Sequence, residues 1–447
     1  MPGLATPELA PSTGTGTFRS LRGYNYRVWA AGGIVSNVGT WMQRTAQDWI
    51  VLTQLTHHSA TAVGVVMALQ FGPQLLLLPF TGYAADHLNR RRLLIATQTA
   101  MALLALCLGL LTVTGLVRLW QVDVFAFLFG CTAAFDAPAR QTFVSELVGE
   151  TDLPNAVALN STSFNIARMI GPSVAGLLIA TIGVGWVFLI NAGSYLAVLG
   201  SLALLRGSAL HHGRRATRAR GGFSEGFRTI AGRPDLQAVL LMLFLVGTFG
   251  LNFPIFISTM SVRIFHGGAR SYGLLASTMA IGSVAGALLS ARRTTPRPDF
   301  LIGGTALFGC GFIMAACMPN ARLFGLALVV IGIAAQTVTT TAISLVQLST
   351  DPAMRGRVMA IVLAVSLGGT PLGAPLVGWV ADVLGPRQAL GIGAASGIGA
   401  ALVGVLYLVR HRGLRLHRPD GWPRLTLSPA AEVPPAGTLN SAGARRL

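Results

Sequence analysis

The chain has 447 residues, 52% of them hydrophobic and only 11% charged, with a formal net charge of +18. A soluble domain carries about a quarter charged residues, so a string of water-soluble domains is excluded. The mean hydropathy of +0.63 and the 54 glycines fit helices packed in lipid, where Gly and Pro are commoner than in soluble helices.

All 33 basic residues are arginine. Such a charge raises the question of nucleic acid, which the placement of the arginines answers below. Cys107, Cys131, Cys310 and Cys317 lie in apolar runs without metal-ligand or disulfide spacing and read as small hydrophobes. No Walker, HExxH or GxSxG stretch is present, so no ATP-driven step, no metal, no cofactor and no enzyme chemistry are expected.

In chain order, residues 1–20 are rich in Pro, Gly, Ser and Thr and read as a disordered tail. Twelve apolar stretches follow, each near the roughly 20 residues a membrane-crossing helix needs. They run over 25–52, 60–84, 91–114, 119–143, 154–181, 183–205, 235–262, 270–291, 299–318, 321–348, 357–383 and 386–410. The thinnest divisions are "TIGVGW" between spans 5 and 6 and "LGPRQ" between spans 11 and 12. A polar connection, 207–234, divides the chain into halves at 21–206 and 235–410, and residues 411–447 read as a second disordered tail.

Arginine marks the cytoplasmic side of a membrane protein. With the N-terminus inside, 26 of the 33 arginines fall on the cytoplasmic connections and tails, and five on the opposite side. The charge is therefore explained by topology, with both termini cytoplasmic and no nucleic-acid partner. The expected class is an all-α integral membrane protein, multi-pass in the cell membrane, with twelve transmembrane helices in two six-helix pseudo-repeats. "GPSVAGLL" (171–178) and "GAPLVGWV" (373–380) echo each other 202 residues apart. Parallel repeats of this kind mark secondary transporters whose substrate path runs between the halves.

"GYAADHLNRRR", residues 82–92, lies between spans 2 and 3. Gly82, Ala85, Asp86, Arg90 and Arg91 resemble the 2–3 loop motif of the major facilitator superfamily, with Asn89 where that family usually has Gly. Asn tolerates a left-handed backbone, so the turn is expected to survive. The resemblance covers about residues 20–410 and implies a cytoplasmic gate. In that gate Asp86 faces a helix N-terminus or an arginine, and Arg90 bonds an acid on a neighbouring helix, Asp136, with Arg140 beside it.

In span 5, "RMIGPSVAG" resembles the superfamily's antiporter motif at Gly171, Pro172 and Gly176, with Ala167 and Ala175 replacing glycines of the pattern. The span 4 motif with a buried arginine is missing from "FAFLFGCTAAF". "FDAPARQTFVSELV", "ALNSTSFNIARMIGP" and "GTWMQRTAQDWIVL" resemble a narrower branch, the drug and siderophore exporters of the enterobactin-exporter type.

Ionisable groups at membrane depth are costly and so become functional candidates. Arg44 and Asp48 stand four apart on span 1, and Arg168 lies in span 5. They read either as proton and substrate groups or, for the first two, as a static pair at the outer rim. Asn165 and Gln336 are added as polar candidates. A wall of few charges suits a bulky amphipathic compound. The expected activity is export of drug-like or siderophore-like molecules by proton-coupled antiport, from a monomer whose partners are the substrate, protons and lipid. An uptake permease or uniporter of the same fold, and a non-transporting membrane protein, are the alternatives.

Overall fold

A computed structural model describes residues 17–77, 80–81, 84, 87–149, 151–211, 223–292, 296–351, 354–412, 414–417 and 424–427. Most of both tails, the centre of the linker, and the motif residues Gly82 and Asp86 lie outside the described residues.

The chain is helical nearly throughout. In order come α1 Tyr24–Ile50, α2 Ala60–Leu76, α3 Arg90–Val113, α4 Leu119–Leu147, α5 Leu153–Ile182 and α6 Val184–Leu204. A short helix, Phe223–Ala231, leads to α7 Pro234–Ile264, which is interrupted at Leu251 and Asn252. Then follow α8 Ala269–Ala291, α9 Pro298–Cys317, α10 Ala321–Ser349, α11 Arg355–Val383 and α12 Pro386–Arg412. Among the described residues, ten of these helices, α3 to α12, are long and apolar enough to cross a bilayer. α2 is apolar but has 17 residues, and α1 carries the polar run Gln43 to Asp48.

The two thin divisions of the sequence both turn on glycine. Gly183 ends α5 at φ +92° and Gly385 precedes α12 at φ +110°, a backbone that only glycine adopts without strain. The N-terminal tail is shorter than residues 1–20. Ser20 is buried, and its Oγ donates to Oδ1 of Asn155 at 2.7 Å. Leu414–His417 and Arg424–Leu427 pair as antiparallel strands, so part of the expected C-terminal tail is paired.

The helices pack as one pattern used twice. α1 pairs with α5 and α6, α3 with α4 and α6, and α2 with α4. Six helices later α7 pairs with α11 and α12, α9 with α10 and α12, and α8 with α10. The copies agree in detail. α1 ends in a π-helical turn, Val51–Leu55, and His58 follows at φ 61°. α7 ends in another, Met260–Ile264, and His266 follows at φ 51°.

The outer surface is that of a protein in lipid. Large side chains such as Leu103, Leu196 and Leu326 stand exposed on mid-helix faces, where water would make them a liability. Trp120, Trp186 and Trp379 are exposed close to helix ends, the level at which aromatic belts sit.

A large buried apolar cluster runs through both halves, but lipid tails are as apolar as any Leu, so helix pairing also depends on close backbone approach at small residues. Gly286 of α8 illustrates this, since a Cβ there would lie 2.6 Å from the Ile333 carbonyl oxygen of α10. Neither backbone can yield without separating the pair. Gly286→Leu is expected to destabilise the protein by about 1–3 kcal/mol, the range for overpacking. Thermal unfolding in detergent would register it as a lower Tm.

Candidate functional site

The candidate residues divide among one end of the bundle, the seam between α1–α6 and α7–α12, and the space beside α1.

At the end that carries Arg90, the pairing differs from the expectation. Arg90 Nη1 donates to Glu146 Oε1 at 2.8 Å, not to Asp136. Asp136 is already saturated. Its Oδ1 accepts from Thr97 Oγ1 at 2.8 Å and Gln98 Nε2 at 2.7 Å, and its Oδ2 from Arg140 Nε at 3.2 Å. Arg140 stands one turn along the same helix, the spacing at which side chains meet, and also lies over the Trp29 ring. Arg91 Nη2 donates to the Leu202 carbonyl at 2.7 Å and so ties α3 to α6. Asn89 is not left-handed. Its backbone is extended at φ −68°, and its side chain caps α3 by accepting from the Arg92 amide. Asn meets that demand directly, because an N-cap favours a short polar side chain.

Gly171, Pro172 and Gly176 lie where helices touch. Gly171 faces Trp41 of α1, and Gly176 faces the Ala269 carbonyl at the start of α8. The echoing motif repeats the arrangement: Gly373 faces Thr248 of α7, and Gly378 faces the Ala60 carbonyl at the start of α2. The sequence echo therefore corresponds to equivalent backbone contacts. Ser277 of α8 adds a hydrogen bond across the seam to the Met169 carbonyl at 2.6 Å and accepts another from Ser173 at 2.7 Å.

The seam is clasped at the far end by a residue that was not among the sequence candidates. Asp382, near the end of α11, caps α2 across the seam. Oδ1 accepts from the Ala60 amide at 2.8 Å. Oδ2 accepts from the Thr61 amide at 2.9 Å, Thr61 Oγ1 at 2.7 Å and Ser59 Oγ at 3.0 Å. Arg263 of α7 completes the set at 3.2 Å. A carboxylate at a helix N-terminus satisfies orphan amides and meets the positive end of the dipole. The α2 partners lie more than 300 positions from Asp382 in the chain, and Arg263 lies 119 away, so spacing gives no sign of them.

Deeper in, Arg44 and Asp48 form no ion pair despite their spacing. Asp48 is buried and accepts from the Tyr272 hydroxyl of α8 at 3.2 Å, a bond across the seam. Trp49 stacks against the same tyrosine at 6.2 Å. The Arg44 guanidinium instead lies 5.0 Å from the Trp41 ring and 5.4 Å from that of Phe71. Arg168 approaches the same Trp41 ring at 5.8 Å. Arg44, Arg168 and Trp41 are thus brought together, with Asp48 one turn along. Asn165 bonds locally to the Ser161 carbonyl, and Gln336 stands half-buried on α10 beside Gly286, apart from this group. Among the described residues no cluster of His, Cys, Asp and Glu could hold a metal ion.

A six-helix pattern used twice, with a seam between the copies and charged side chains set beside it, defines a secondary transporter of the major facilitator type. Within that superfamily the chain belongs to the transmembrane secretion effector family, which matches residues 15–428. It is similar to a staphyloferrin A transporter of Staphylococcus aureus, 26% identical over 85% of this chain and 94% of that one. An enterobactin exporter of Shigella flexneri is also 26% identical, over 85% of this chain and 90% of its own. Among solved structures, a bacterial homolog of the human lysosomal transporter Spinster, inward-facing and unoccupied, superposes with a TM-score of 0.66. It is 17% identical and covers 86% of this chain and 96% of its own, a likeness of fold.

The Asp382 clasp predicts a coupled loss. Asp382→Asn and Thr61→Val should each lower the Tm, and the double variant should fall short of their sum by about 0.5–3 kcal/mol, the range for residues in one network. Strict additivity in thermal unfolding would mean that the two side chains do not act together.

Proposed function

We propose that the protein is a twelve-span exporter of small amphipathic compounds in the cell membrane, coupled to proton entry and working by alternating access. On this reading α1 and α2 cross the bilayer with the other ten, and α1–α6 and α7–α12 are the two halves that rock. The linker 207–234 and both termini are cytoplasmic. The arginine distribution then puts the Asp382 clasp outside and the Arg90–Glu146 pair inside, and the conformation is closed outside. Gly82, Asp86, Arg90, Arg91, Asp136 and Arg140 form the inner gate in this scheme. Export and a siderophore-like or drug-like cargo are favoured by the names of the two similar transporters.

The observation that carries the coupling is the Asp48–Tyr272 bond. Its carboxylate belongs to one half and its donor to the other. A proton on Asp48 removes the charge that makes this bond strong, so the two protonation states of Asp48 favour different seam arrangements. A ligand, here a proton, shifts a conformational equilibrium by its differential affinity for the two states. Arg44, four residues away on α1, biases the same carboxylate by its charge.

Uptake into everted vesicles tests the reading. An overexpressing strain is first screened against dyes, antibiotics and siderophores to find a transported compound. Vesicles should then accumulate it when acidified inside, and a protonophore should abolish the gradient-driven part. Asp48→Asn should cut that part by about tenfold and flatten its pH dependence, since an amide takes up no proton and a coupling free energy between sites is typically worth about 5–150-fold. Full-rate, pH-responsive transport by Asp48→Asn would remove Asp48 from the proton path. Accumulation by whole cells with no efflux from loaded ones would instead make it a permease. Labelling of the linker from outside the cell would reverse the topology.

A further inference from the structure

Two arginines enclosed in this bundle form no salt bridge among the described residues. Arg44 of α1 and Arg168 of α5 converge on the one indole of Trp41, at 5.0 and 5.8 Å from the ring centre. No carboxylate pairs with either, because the nearest acid along α1, Asp48, is turned to Tyr272. Nε of Arg44 is enclosed and has no hydrogen-bond acceptor. The facing half offers no remedy. The acids of α7–α12 and their connections are Asp235, Asp299, Asp351 and Asp382, all close to helix ends.

Two guanidiniums here have one carboxylate nearby, Asp48, and it is hydrogen-bonded to Tyr272 instead. Two like charges on one ring repel, and each has given up water. A cation–π contact offsets only part of the cost of enclosing a cation in a bilayer. Guanidinium is the group best matched to a carboxylate or phenolate, through paired N–H donors. An aromatic surface lies alongside. Phe164, one turn before Arg168, meets Trp41 edge-on at 5.7 Å yet is 46% exposed, and Phe71 flanks Arg44 from α2.

We propose that Arg44 and Arg168, with Trp41 and Phe164, form a binding subsite for an anionic aromatic compound, a carboxylate or phenolate on a planar ring. The guanidiniums take the charged oxygens and Phe164 takes the ring. The subsite names the substrate class of the transporter proposed above and rests on that reading. It also discriminates: a cationic amphiphile meets two positive charges here and is repelled.

The test uses the purified full chain in nanodiscs with three probes, namely salicylate, cyclohexanecarboxylate and benzylamine. Salicylate should bind, and cyclohexanecarboxylate more weakly, because it lacks the ring face. Benzylamine should neither bind nor compete. Arg44→Gln and Arg168→Gln should each weaken salicylate by about tenfold or more, the worth of one charge-assisted contact. Arg168→Lys keeps the charge, guards against a simple folding defect, and should recover part of the affinity. Phe164→Leu should weaken salicylate and leave cyclohexanecarboxylate nearly unchanged. Benzylamine binding as tightly as salicylate, or salicylate affinity unchanged in folded Arg→Gln variants, overturns the subsite. Salicylate binding without flux of any compound in vesicles would leave the subsite standing and sink the transporter reading. Flux of cationic dyes by a protein that does not bind salicylate would do the reverse.

Discussion

A bilayer offers no hydrogen bonds, so each polar group inside it must find a partner within the protein. Most polar side chains of this chain solve the problem locally. Thr45 and Thr53 donate to the carbonyls of Trp41 and Trp49 one turn back, and Thr339 and Thr340 do the same on α10. Such groups carry no information about function. The informative ones reach outside their own helix or reach nothing. Asp382 and Tyr272 reach across the seam, and the enclosed Nε of Arg44 reaches nothing.

Much of the architecture was legible because lipid imposes strong rules on sequence. Length and hydropathy located most of the helices to within a few residues, although α2 ends at Leu76 where the apolar stretch was read to 84, and glycine stood at both of the thinnest divisions. The echo of residues 171–178 in 373–380 marked equivalent contacts, because only a small residue allows two helix backbones to meet. Pairing of charges was less legible. The 2–3 loop resemblance led to Asp136 as the partner of Arg90. Residue spacing could have warned against this, since Arg140 follows Asp136 by four positions and competes for it. The same spacing misled at Arg44 and Asp48, where an i,i+4 pair was one of two open readings and the side chains turn apart. Asp382 and Tyr272 could not have been found, because their partners are set by the packing of distant helices.

The repeat and the charges disagree, and the disagreement is instructive. The backbone pattern of α1–α6 recurs in α7–α12 down to the π-helical turns and the histidines after them. The charges at depth do not recur. Arg44, Asp48 and Arg168 all belong to the first copy, and the second offers Tyr272 and backbone in reply. A symmetric scaffold with asymmetric charge suits one half to recognition and the other to closing against it. The symmetry supplies matching contacts between the copies, Gly176 at the Ala269 carbonyl and Gly378 at the Ala60 carbonyl, and the asymmetry places an enclosed carboxylate, Asp48, in the first copy alone.

The two carboxylates that bridge the halves differ in how they can let go. Asp382 sits at a helix end with its side chain 24% exposed. When its clasp opens, water replaces the lost donors, so each bond to the carboxylate is lost at its net worth, about 1.5–3 kcal/mol for a charged acceptor, and not at the full cost of an unmet charge. That contact can therefore break and reform more easily than an enclosed one. Asp48 is more enclosed, at 8% exposed. Separating it from Tyr272 leaves a buried charge that has lost its donor, a state penalised far more heavily. The proposed cycle requires this difference. The shallow clasp sets how easily the outer face opens, and the deep one permits opening only after a proton, or a substrate on Arg44 and Arg168, has changed the local charge.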